Sequence, residues 1–335
     1  MRRAVSDAAH RGGHGRAIGK AIVVGEHFVV HGSPAIAVPV RGRHVEVVIG
    51  ARTLATARRH PESERARSAI VAMLDELGVP ENALSEVALE VGGDLPLGAG
   101  LGGSAAVAAA LGRALGVSAA DLPDFVHRME RLAHGKPSGV DGAVVCAERA
   151  VWFQVTDEGP QMRWLDGEDG RAAAADLPLW IAIVPRMGST KDAVARVGAF
   201  REAEPATFSR LAAAAREDAL AARDALAAGD LADLATMGAI FDRAQARLET
   251  VGVSTPALAA LVAAARAQGA YGAKLSGAGL GGAVLAVAPP GVDLGPALVA
   301  AGATDVIPPI GRFGRGGPGE QHEQGEAGLR ETESA

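Results

Sequence analysis

Residues 94–111 read DLPLGAGLGGSAAVAAAL. Apolar residues lead into a glycine loop, Gly98 to Gly103, and the loop opens a small-residue helix at Ser104. A helix N-terminus presents N–H groups without intrahelical partners and a partial positive charge, and together these hold phosphate. Glycine lets such N–H groups close around a ligand with no Cβ in the way. Ser104 is also a residue type that caps helices, so a tight strand-to-helix connection with no ligand would read the same. Gly98, Gly100 and Gly103 satisfy the G-x-G-x-x-G dinucleotide pattern. That pattern requires a strand after the helix, ending in an acidic residue about 20 positions on. Asp121 stands near that distance, but no strand precedes it and it reads as the cap of the next helix. The loop also lacks the G-K-[ST] ending of a Walker phosphate loop.

The same six letters, GAGLGG, return at 277–282 within AKLSGAGLGGAVLAV (273–287). There the glycines join two strand-like runs, so the second copy reads either as a plain hairpin or as a flap whose N–H groups reach a phosphate. Two further segments carry chemistry. ERLAHGKPSGVD (130–141) ends one helix after Glu130 and starts another, with Ser138 in capping position and Asp141 in the first turn. Two carboxylates on adjoining helix ends suit phosphoryl transfer, one for a metal ion and one for the attacking hydroxyl. They equally suit plain stabilisation of helix dipoles. GKAIVVGEHFVVHG (19–32) places Lys20 at the opening of an otherwise apolar strand, with Glu26 and His27 just past its end. Lys20 reads as an edge-strand charge or as a group that neutralises phosphate. His27 and His31 are four apart with no helix expected and no cysteine cluster beside them, which argues against zinc.

Around these segments lies a chain of 335 residues, long enough for two domains. Hydrophobic residues at 48% and charged residues at 21% indicate a globular chain, with only 3% aromatics, so the core must be built from Ala, Val, Leu and Ile. A net charge of −6 argues against a nucleic-acid partner. Cys146 is the only cysteine, which excludes an internal disulfide and suits a reducing cytoplasm. No apolar run is long enough for a membrane span, and the N-terminus lacks the apolar region of a signal peptide.

Residues 1–16 and 314–335 read as disordered tails. Between them, strands are expected at 20–25, 33–40, 44–50, 86–93, 151–155, 179–185, 272–275 and 282–288. Helices are expected at 64–78 (ended by Gly78), 104–116, 121–133, and from 190 to 267 with breaks near Gly229 and at Ser254–Pro256. The result is two α+β domains, 17–175 and 176–313, with the boundary near 165–178.

The four segments in this order resemble the superfamily of galacto-, homoserine, mevalonate and phosphomevalonate kinases, across residues 19–287. GEHFVVHG followed by SPAIAVPV, HGKPSGVD, and Ser189-Thr190-Lys191 after VPRMG resemble its mevalonate kinase branch. The resemblance implies a two-domain small-molecule kinase fold with ATP between the domains, Mg²⁺ as cofactor, mevalonate as acceptor, and a homodimer as one option for assembly. It implies that Asp141 is the catalytic base or orienter and Lys20 its partner. Ser104 and Glu130 match the metal ligands. Pro96, Gly98, Ala99, Gly100, Leu101, Gly102, Gly103 and Ser104 match the ATP phosphate-binding loop, and Gly277, Ala278 and Gly279 the second glycine motif. Glu26, His27 and Thr190 match positions that contact mevalonate. Two departures stand out: Gly103 replaces the first serine of the family's GLGSSAA, and Gly142 replaces the asparagine of its D-N-A-V. Other readings left open are a sister kinase for phosphomevalonate, homoserine or a sugar, and a nucleotide-binding protein without catalysis.

Overall fold

A computed structural model describes residues 11–50, 59–76, 88–134, 137–165, 177–228 and 232–310. Strand β1 (Gly13–Val24) is followed by a 3-10 turn at Phe28–His31 and by β2 (Ala35–Ile49). Then come α1 (Ser63–Glu76), β3 (Leu89–Gly93), α2 (Gly103–Ala114), α3 (Leu122–His134) and α4 (Val140–Ala147). Strands β4 (Val151–Thr156) and β5 (Gly159–Trp164) complete the first half. The second half runs β6 (Trp180–Val184), α5 (Thr190–Ala203), α6 (Pro205–Ala228), α7 (Ala232–Thr250) and α8 (Pro256–Ala267). It ends with β7 (Gly272–Ser276), β8 (Gly282–Val287), α9 (Gly295–Ala300) and β9 (Asp305–Ile307).

The strands form two antiparallel sheets. One has the order β1-β2-β4-β5 with β3 also paired to β2, and the other has the order β7-β8-β6-β9. The fold is α+β, as expected. Among the described residues no helix is long and apolar enough to cross a membrane.

Several expectations are corrected. The N-terminal tail does not extend to residue 16, because β1 starts at Gly13 and pairs Gly13–Arg16 with Ile49–Glu46. Glycine and polar residues make up that start, so no apolar pattern announces it. The two runs at 33–40 and 44–50 are one strand. Its register skips between the Ile18–His44 and Gly19–Val40 pairs, so Arg41–Arg43 bulge out without ending it. Strand β5 pairs with β4 on the solvent side and carries mostly exposed residues, so it lacks a hydrophobic signature. The helical stretch after residue 190 has a further break at Glu204–Pro205, where proline starts a new helix. Strand β9 and helix α9 are too short for periodicity to reveal. The expected stops at Gly78, Gly135 and Gly229, most of the 165–178 boundary, and the tail 314–335 lie outside the described residues.

Two cores explain how the halves join. In β6, Ile181 and Ile183 face the core shared with the first sheet, while Ala182 and Val184 face the helices of the second half. β8 alternates likewise, with Ala283, Leu285 and Val287 on one side and Val284 and Ala286 on the other. The second sheet is therefore covered on both faces, one of them by the first half. That is why its strands read as continuous apolar runs. Helix α2 lies almost against β1: a Cβ at Gly15 would stand 2.0 Å from the Ala110 carbonyl oxygen. Only small residues permit that approach, and it seats the glycine loop beside the middle of β1.

Candidate active site

A cavity of about 710 Å³ opens between the halves. The glycine loop and the first turn of α2 form one wall, the end of β1 and the turn after it another, and the start of α5 a third. Gly98, Gly100 and Gly102 line the cavity and all have positive φ, the backbone form in which anion-binding nests are built. The cap of α2 is Gly102, not Ser104, which stands at the second helical position. Ser104 Oγ donates to Glu130 Oε1 of α3 at 3.4 Å. Ser138 is likewise not the cap of α4. Gly139, at φ 84°, takes that place.

Lys20 is not at the opening of its strand but in the middle of β1, and it is only 4% exposed. Its backbone N–H donates to the Leu101 carbonyl at 2.9 Å, which ties the strand to the glycine loop. Its ammonium lies 3.1 Å from Asp141 Oδ1 in the first turn of α4 and 3.5 Å from the Gly100 carbonyl oxygen. One buried cation thus joins the loop to the carboxylate. Behind it, burial raises the Glu130 carboxyl to about 7, Asp141 adds to that rise, and Lys20 and Ser104 oppose it. Ser104 and Glu130 are hard oxygen donors side by side, and a divalent cation there would relieve the cost of the buried carboxylate. Among the described residues no cluster of three or more His, Cys, Asp or Glu could hold a metal, so phosphate oxygens and waters would complete its coordination.

At the other end, Glu26 and His27 close β1. His27 sits at φ 60°, and its Nε2 donates to the Ala278 carbonyl of the second glycine turn at 2.9 Å. Burial lowers its pKa below the ordinary 6.5, so the ring is neutral at pH 7. Glu26 is buried and ion-paired with Lys274 of β7, a fully buried lysine that also donates to the Ile22 carbonyl at 3.2 Å. Burial pulls the Lys274 ammonium down while Glu26 pulls it up. Thr190 stands at the first position of α5, held by a capping box between Ser189 and Asp192.

The cavity brings together Lys20, Ser104, Asp141, Glu26, His27 and Thr190, along with Gly98, Gly100, Gly102, Gly103, Gly277 and Ala278. Pro96, Ala99, Leu101, Glu130 and Gly279 do not line it. Ala99 and Leu101 bury their side chains in the core, Glu130 lies behind Ser104, and Gly279 packs on the Val253 carbonyl. The two departures from the family pattern have a steric counterpart. A Cβ at Gly142 would stand 3.1 Å from Val126 Cγ1, and one at Gly103 would stand 3.0 Å from Leu97 Cδ2. Sequence reasoning missed Lys274, whose signal is a single charge inside an apolar strand, and Arg186, which follows β6 and lines the cavity.

Comparisons with known proteins bear on the fold and the family. The family model for the GHMP kinase N-terminal domain matches residues 64–148, and that for the GHMP kinase C-terminal region matches residues 222–300. A mevalonate kinase from Pyrococcus horikoshii is 30% identical over 302 residues, which cover 81% of this chain and 87% of that protein. One from Aeropyrum pernix is 32% identical over 299 residues, covering 82% and 88%. Among solved structures, L. major mevalonate kinase in complex with R-mevalonate superposes with a TM-score of 0.73 at 24% identity, covering 89% of this chain and 95% of that one. A Lactococcus lactis galactokinase complexed with galactose shares the fold at a TM-score of 0.60 and 15% identity, covering 94% and 98%. With these extended matches set beside a cavity that unites both glycine turns, the chain belongs to the mevalonate kinase family of the GHMP kinases.

Proposed function

We propose that the protein transfers the γ-phosphoryl group of ATP to the C5 hydroxyl of mevalonate, giving 5-phosphomevalonate and ADP. The observation that carries this reading is the buried Lys20 between Asp141 and the Gly100 carbonyl, which places a carboxylate at the edge of the phosphate loop. The names of the relatives supply the acceptor.

The acceptor hydroxyl sits against Asp141, which orients it and takes its proton. The hydroxyl oxygen forms the new P–O bond as the bond from the γ-phosphorus to the bridging oxygen breaks, and ADP leaves with that electron pair. Lys20 keeps Asp141 in place and opposes the charge that builds on the transferring group. The N–H groups of the glycine loop and of the first turn of α2 hold the phosphates. Ser104 and Glu130 would hold Mg²⁺, which supplies charge neutralisation on the phosphates when bound. Most of the rate gain comes from positioning, which can supply on the order of 7–11 kcal/mol.

Purified protein given mevalonate, ATP and Mg²⁺ should release ADP. Asp141→Ala should lower kcat by about 10³-fold while ATP binding, followed by titration calorimetry, stays close to wild type. An Asp141→Ala rate within a few-fold of wild type would remove the carboxylate from the mechanism. Turnover with phosphomevalonate, homoserine or galactose but not with mevalonate would overturn the acceptor.

A further inference from the structure

The cations that line the cavity are almost all committed. Lys20 is paired with Asp141, and Arg65, at the exposed mouth, with Glu62 at 3.5 Å. Arg201 rests its guanidinium against His31 Nδ1 at 3.4 Å, also at the exposed side. Arg186 differs from these. Like Arg201 it has no carboxylate partner among the described residues, but its Nε alone is shut off from solvent with no hydrogen-bond partner among them, and burial lowers its pKa. A guanidinium N–H that reaches neither water nor an acceptor is costly, and an anion brought by a ligand would relieve that cost.

Its place in the fold is firmly held. The Met187 N–H donates to the Leu280 carbonyl at 2.7 Å, which fastens the turn after β6 to the second glycine turn. Gly281 and Gly282 let that turn pass: a Cβ on Gly281 would lie 2.6 Å from Arg186 Cα, and one on Gly282 would lie 3.9 Å from its Cγ. On its far side, Arg186 Nη2 reaches Thr190 Oγ1 at 3.4 Å, at the start of α5. The guanidinium therefore stands between the glycine turns and the α5 wall.

Phosphates already have donors in the glycine loop and the α2 N-terminus. At the acceptor end the cations without an acid beside them are Arg186 and, at the exposed side, Arg201. Glu26 and Asp141 are themselves acids, and the His27 Nε2–H is taken by the Ala278 carbonyl. We infer that Arg186 receives the carboxylate of the acceptor, with Thr190 beside it, and so makes the site selective for a hydroxy acid over a neutral alcohol. The planar fork of arginine suits a carboxylate, and lysine cannot reproduce it. This rests on the proposed reaction and names the group in the site that recognises its acceptor.

The test compares mevalonate with the neutral triol in which a hydroxymethyl group replaces the carboxylate, using wild type, Arg186→Met and Arg186→Lys. Arg186→Met should raise the KM for mevalonate by about 10- to 150-fold, the range of a lost hydrogen bond to a charged group, and change the KM for ATP by no more than about twofold. The wild-type preference for mevalonate over the triol should collapse in Arg186→Met and survive in part in Arg186→Lys. A purely structural role would weaken both acceptors alike, and an unchanged acid-to-triol ratio overturns the inference. A rise in ATP KM with that ratio unchanged would assign the guanidinium to phosphate instead and also overturn it. Wild type that phosphorylates another alcohol but not mevalonate would overturn the proposed reaction and this inference with it. Arg186→Lys, which keeps the charge, guards against a misfolded methionine variant.

Discussion

Gly98–Gly103 and Gly277–Gly282 spell the same six residues, yet the first turn opens a helix and the second joins two strands. Their first three residues behave alike. Gly98 and Gly277 have φ of 78° and 83°, and Gly100 and Gly279 have φ of 84° and 79°. The paths part at the leucine. Leu101 keeps an ordinary conformation, and its carbonyl accepts from Lys20. Leu280 is forced to φ 57°, held by Val253 on its N–H side and Met187 on its carbonyl side. A left-handed leucine costs roughly 1–2 kcal/mol, which those two bonds offset. The residues downstream of each turn decide the outcome: SAAVAAAL is made of helix formers, while AVLAV alternates across a pleat. A short glycine string therefore licenses a turn, and its neighbours choose which one.

The two turns also touch. A Cβ on Gly282 would come within 2.8 Å of the Ala99 carbonyl oxygen, and φ there is 91°. Gly282→Ala should force the turns apart and lower kcat/KM by about 100-fold, since misplacement by about 1 Å is worth that much. An activity within threefold of wild type would show that the contact does not position the site. Within the first turn the glycines differ in what surrounds them. A Cβ on Gly102 would stand 2.8 Å from Lys20 Cγ, while one on Gly98 would meet nothing within 4 Å. Gly102→Ala should displace Lys20 and lower kcat by about tenfold or more, whereas Gly98→Ala, which lines the cavity but does not touch Lys20, should cost roughly 1–2 kcal/mol of stability from its φ and act on the KM for ATP more than on kcat. Equal effects on kcat would erase the distinction.

The smallest effect concerns the second turn, which His27 grips through Ala278. Burial holds the folded pKa of His27 below 6.5, against the opposing pull of the Ala278 bond and Glu26. The unfolded chain takes up its proton near 6.5 and the folded chain only at lower pH. Stability from the neutral ring is thus complete above 6.5 and is lost as pH falls from there toward the folded value. Wild type should lose about 1–2 °C more in Tm than His27→Gln between about pH 7.5 and about pH 5.5. Parallel losses would mean that the ring carries no such penalty.

Much of this was legible in the chain because the signals are local. The first glycine turn, the Ala-rich helix after it, Asp141 in a first helical turn and the β7–β8 hairpin all come from residues within a dozen positions of one another. What escaped was set by distance. Strand β5 exists because β4 offers it an edge, not because GPQMRW prefers a strand. Ser104 reads as a cap until Glu130, on another helix, claims its hydroxyl. Lys274 is unremarkable alone and gains its meaning from Glu26, which the sequence offered only as an acceptor contact. Arg186 stands out only once its surroundings are known to lack an acid.

The join between β1 and β7 has a consequence for how the chain is made. The backbone of Ile22 sits at a register shift in β1, where its N–H donates to Ser276 Oγ at 3.1 Å and its carbonyl accepts from the same hydroxyl at 3.0 Å. Those residues are 254 positions apart. During translation the first strand therefore leaves the ribosome long before the residues that finish it. The glycine loop, Lys20 and Asp141 can meet as soon as α4 emerges, but the Glu26 carboxylate has no ammonium until β7 arrives. Such long-range closure is slow and leaves partly folded chains exposed. A nascent chain stalled before residue 272 would carry the phosphate loop complete and the acceptor end still open.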